Sequence, residues 1–135
     1  MSFPAHPTHS DFERTNRPYA PRLEAFLASV SGDKAAHARF LNTLSMMEHM
    51  GSRRIVMTQS APALGQETLK HMAEEARHAF FFKRQADRFA GTSLEYDDAD
   101  MIAPAFARMY FKRLESFVVA GVKNEAEPRR MTYLY

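Results

Sequence analysis

A chain of 135 residues fits one domain with one hydrophobic core, and 45% apolar with 25% charged residues is the balance of an ordinary soluble globular protein. The absence of cysteine excludes disulfides, thiolate metal sites and a Cys nucleophile, and it suits a reducing cytoplasm. A net charge of +2, with Arg53-Arg54 and Arg129-Arg130 as isolated pairs, lacks the basic stripe of a nucleic-acid binder, and no apolar run approaches a membrane span.

Residues 1–20 carry Pro4, Pro7 and Pro18 among polar residues and read as an irregular arm, without the basic and apolar regions of a secretory leader. Residues 21–135 read as a single helical domain. Pro21 opens a short lead-in helix that ends at Ser31-Gly32. From Asp33 to about Ser60 a long helix is predicted, with His37, Leu41, Leu44, Glu48, Ile55 and Gln59 at the spacing of one face. Pro62 and Gly65 break it. A second long helix runs from Gln66 to Ala90, stopped by Gly91, with Leu69, Met72, Ala76, Ala79, Phe80, Phe82 and Ala86 as its apolar set.

Gly91 to Ile102 is acidic and unpatterned, and about 12 residues of it could reach about 40 Å when extended. A third helix starts near Pro104 and carries Ala107, Phe111, Leu114, Val118 and Val122 on one face. Pro128 opens a fourth, which Tyr135 cuts short.

One residue breaks the pattern of the first long helix. With Glu48 as origin, Leu41 and Ile55 fall within about 20° of it and Leu44 within about 40°. A carboxylate therefore sits near the centre of a stripe meant for burial, where an uncompensated charge costs several kcal/mol at least, on the order of the ion desolvation penalty. A cation, a metal, a hydrogen-bond network or protonation must offset that cost. The second long helix holds a matching feature, Glu75-Ala-Arg-His78, with Glu75 about 60° from the centre of its apolar stripe. A Glu and a His three apart project to one side and can share a metal ion. An antiparallel hairpin brings them opposite Glu48, because the two helical arms from the turn match to about one turn. Gly51, one turn past Glu48, allows close helix approach. Glu115 lies about 60° off the third helix's apolar stripe, with Arg108 and Lys112 on the same flank as ion-pair candidates.

A core Glu followed by an E-x-x-H on the next helix resembles the first half of the ferritin-like di-iron carboxylate superfamily, over about Leu41 to Ala90. The resemblance implies an all-α, antiparallel helical bundle. It implies Glu48 as first-helix ligand, Glu75 as bridging carboxylate, His78 as the histidine of the first metal and Glu115 as the candidate third-helix ligand. It also implies a connection that runs the length of the bundle, two ions of iron or of iron and manganese if the bundle is complete, and an oxygen-activating oxidoreductase. The second E-x-x-H is missing. A longer natural chain or a partner subunit is expected to supply it, and the open groove between three helices points to a homo-oligomer.

The competing reading is a metal-free helical module for oligomerisation or protein interaction, in which Glu48 finds a cationic partner on a neighbouring helix. His71, on the side of Glu75 and His78, is either a partner of the site or a surface residue. His37 reads as a packed histidine, and Tyr110 and the methionines as packing.

Overall fold

The computed structural model describes residues 9–59 and 64–121, with side chains as far as Phe117. Among these residues the protein is helical and holds no strand. The helices are α1 (His9–Asn16), α2 (Ala20–Gly32), α3 (Lys34–Thr58), α4 (Gln66–Ala90) and α5 (Pro104–Gly121), with a 3₁₀ turn at Arg17–Tyr19 between the first two. Pro62, Val118's side chain, Val122 and the helix expected at Pro128 lie outside the described residues.

Most of the arm expected to be irregular is helical. Residues from His9 form α1, because Pro4 and Pro7 precede it and Pro18 falls in the following 3₁₀ turn, where its missing N–H interrupts nothing. None of its residues is buried, so local bonds such as Arg14 to Asp11 (2.7 Å) hold it rather than a core.

The boundaries of α3 and α4 follow from their caps. The Asp33 side chain accepts from the Ala36 N–H (2.6 Å) and starts α3, a cap worth about 1 kcal/mol. Gly91 adopts φ +77° and ends α4 by donating its N–H to Asp87 (2.8 Å), a conformation that a side chain would strain. The two helices form an antiparallel hairpin. Its contacts run along the whole pair: His37 stacks on Phe89 (4.4 Å between ring centroids), Ser45 donates to the Ala79 carbonyl (2.6 Å), and Ser52 reaches the Met72 carbonyl (3.5 Å). Small residues at the seam permit this closeness, with Ala38, Ala79 and Ala86 all buried.

The inner face of α4 is rotated from the expected one. Leu69, Ala76 and Phe80 face solvent, while Met72, Glu75, Phe82, Lys83 and Phe89 join Ala79 and Ala86 on or beside the buried side. That rotation carries Glu75 close to the centre of the stripe. On α3, Met46 is buried although, two residues before Glu48, it points to nearly the opposite side of the helix. The cause is the connection from Gly91 to Ile102, which covers a second face of α3.

That connection does not run the length of the bundle. It folds against the first half of α3, where side chains of that helix satisfy its carbonyls. Asn42 donates to the carbonyls of Glu95 (2.7 Å) and Asp100 (3.0 Å), and Arg39 donates to that of Met101 (2.8 Å). Thr43 Oγ1 accepts from the Ile102 N–H (2.9 Å). Lys83 of α4 donates to the Leu94 carbonyl and pairs with Asp87 (3.1 Å). Ala103, at φ +47°, turns the chain into Pro104, the first residue of α5. α5 then travels in the same direction as α3, from Ile102 beside Thr43 to Glu115 beside Arg54. The course of α3, α4 and α5 is up, down and up.

Candidate metal centre

Glu48 of α3 and Glu75 and His78 of α4 converge. Each offers a ligand atom, and these atoms all lie within 4.8 Å of one another. Glu48 Oε2 stands 3.4 Å from His78 Nδ1. The side chains of Glu48 and Glu75 are 28% and 21% exposed and that of His78 is 56% exposed, so the carboxylates lie inside and the imidazole closes the group toward solvent. The hairpin register produces this arrangement, since the helix that places Ser45 on Ala79 places Glu48 one turn further along, opposite the E-x-x-H.

Space for the second carboxylate comes from Gly51. A Cβ at this position would stand 2.7 Å from Glu75 Oε2, so the carboxylate fills the room that the missing side chain leaves. Gly51 thus serves the placement of one side chain, where the spacing alone suggested only close helix approach. The other oxygen, Oε1, lies 3.1 Å from His71 Nε2, one turn earlier on α4.

Bringing two carboxylates together has an electrostatic cost. Burial pushes the Glu48 carboxyl above its ordinary value, and the neighbouring charge and hydrogen bond of Glu75 push the same way, while His78 opposes both.

Glu115 is not part of the group. It pairs with Arg54 of α3 (2.7 Å), and the hydrogen bond from this guanidinium holds its carboxyl below the ordinary value. Of the expected cations on its own flank, Arg108 pairs with Asp98 (3.1 Å) and Lys112 is exposed. Register decides this, because the folded connection sets α5 against α3 so that residue 115 arrives at residue 54.

The chain matches no family model, no curated protein and no solved structure. The chemistry of the site therefore rests on its own geometry.

A cleft of about 210 Å³ opens beside the two carboxylates, between α3, α4 and α5. Met47, Glu48, Gly51, Arg54 and Ile55 of α3 and His71 and Glu75 of α4 line it, with Tyr110, Phe111 and Leu114 contributed by α5. Tyr110, read from the sequence as packing, is an exposed residue of this rim. His37 packs on Phe89 as expected, and His49, which is not in the donor group, lies against Tyr96 (5.9 Å between ring centroids).

The donor set fits a divalent metal. Carboxylate oxygens with one imidazole suit iron or manganese. One further observation agrees: the space left at Gly51 admits the second carboxylate beside the first.

Proposed function

We propose that this protein is a carboxylate–histidine metal protein that shares the donor set, though not the crossover connection, of the ferritin-like di-iron proteins, holding iron, or iron and manganese, and activating dioxygen in an oxidoreductase reaction. The observation that carries the reading is the convergence of Glu48, Glu75 and His78 from two helices within 4.8 Å. These three residues hold the first ion. A second ion needs further ligands, from chain outside the described residues or from a partner subunit that completes the bundle, because Glu115 is engaged by Arg54.

When bound, iron with open positions binds and reduces dioxygen. The chain's own residues orient the donors and limit water. Glu48 and Glu75 supply the negative charge, His78 caps the solvent side, and Phe111, Leu114, Met47 and Ile55 make the cleft beside them largely apolar. Calorimetric melting of chelator-treated protein with and without Mn(II) tests the reading. A ligand that binds only the folded state at about 100 times its Kd adds about 2.7 kcal/mol. Wild type is expected to gain such stability and Glu48→Ala to gain none. Equal responses, or none in either, would remove the metal.

A second reading has its own support. Phe80 and Phe81 on α4 and Phe106 and Phe117 on α5 are each more than half exposed. In that reading the protein is a metal-free interaction module, His78 is the cationic partner of Glu48, and the exposed aromatics meet a second copy. Sedimentation of metal-free protein separates the two: a dimer that survives Glu48→Ala and shows no response to metal favours the module.

A further inference from the structure

The Glu75 carboxylate is held differently at its two oxygens. Oε2 faces α3 in the space left by Gly51, on the side of Glu48. Oε1 lies 3.1 Å from Nε2 of His71. His71 itself is outside the set of donor atoms that lie within 4.8 Å of one another. The imidazole can donate Nε2–H to this carboxylate oxygen, and in that arrangement the bond selects the Nε2–H tautomer. Residues one turn apart on a helix meet without a change of backbone, so the contact exists before any ligand arrives.

We propose that His71 is a positioning residue for the metal: by donating Nε2–H to Oε1 of Glu75 it presents Oε2 to a single divalent cation shared with Glu48 and His78. The inference rests on the metal reading above and sharpens it. Glu75 then serves one ion through Oε2 while Oε1 is engaged by the imidazole. An outer partner of this kind orients the ligand, and its loss typically weakens metal affinity by about 10- to 100-fold.

Titration of the full chain with Co(II), followed by visible absorption and calorimetry, tests this. Wild type is expected to take one equivalent. His71→Ala is expected to bind about 10- to 100-fold more weakly, with the same stoichiometry and the same absorption bands, since the ligands are unchanged. His71→Gln, whose amide N–H can reach Oε1, is expected to recover most of the affinity. Unchanged affinity in His71→Ala overturns the proposal. So do altered bands in that variant, which make His71 a ligand, and two equivalents in wild type. If His71→Ala fails to fold by circular dichroism, His71→Gln decides: affinity within a few-fold of wild type supports the proposal, and a loss as large as that of Glu75→Ala overturns it. A wild type that takes no Co(II) defeats the underlying metal reading instead.

Discussion

Gly51 and Glu75 share one space: a Cβ on the first would stand 2.7 Å from Oε2 of the second. Stability and function should therefore part at this position. Gly51→Ala removes a glycine from a helix interior, which favours the fold by about 0.5–1 kcal/mol. The atom it displaces is the free end of a flexible side chain, so the backbone need not move. The expected outcome is unchanged or slightly raised resistance to urea, with metal affinity lowered at least 10-fold, the scale on which disturbed ligand orientation is felt. Denaturation and metal titration of the same sample check both signs.

The crowding at Glu48 has a pH signature in metal-free protein. Its folded pKa is raised above the ordinary value of 4.5, so the folded state holds the proton more tightly than the unfolded state. The resulting stabilisation is complete below 4.5 and is lost as pH rises through the raised folded value. Wild type should lose stability relative to Glu48→Gln over that interval, as read from urea midpoints between acid and neutral pH. Parallel curves for the two proteins would contradict the assignment.

Glu115 has the opposite sign. Its folded pKa is lowered by Arg54, so its contribution is present above the ordinary 4.5 and lost as pH falls through the lower folded value. Nearly half of the Glu115 side chain is exposed, so the pair contributes at most about 1 kcal/mol, and salt weakens it. Glu115→Gln should therefore shift stability slightly and leave metal stoichiometry unchanged. A lost equivalent of metal would return Glu115 to the ligand set that the family resemblance implied.

Asn42 should be the costliest polar residue to remove. It is 0% exposed and donates to the carbonyls of Glu95 and Asp100, while Lys83 donates to its own oxygen (3.4 Å). Asn42→Ala removes the donor from both carbonyls, at about 2–3 kcal/mol for the pair. Asn42→Asp should be no better, since a carboxylate would face two carbonyls. Urea denaturation measures both.

These residues also mark where the sequence was legible. Caps and breakers announce the helices: Asp33, Gly91 and Pro104 stand at the observed boundaries. The convergence of Glu48 with Glu75 and His78 was readable because it needs only helical periodicity and the length of a hairpin. Asn42, Thr43, Arg39 and Lys83 were not readable as a network, because their partners are carbonyls of an aperiodic connection whose path no periodicity encodes. The same connection was expected to cross the bundle, and it instead fixes the register of α5, which sends Glu115 to Arg54. On α4, three consecutive phenylalanines leave the rotation of the apolar face ambiguous. The structure turns Phe80 outward and Glu75 inward, so the carboxylate is more central than the sequence pattern suggested.

The most direct test of the account is the metal content of protein purified without chelator, compared with that of Glu48→Ala prepared in parallel. The account predicts close to one equivalent of iron or manganese in the first and almost none in the second. Wild-type protein that carries no metal, and whose unfolding chelator leaves unchanged, would contradict it.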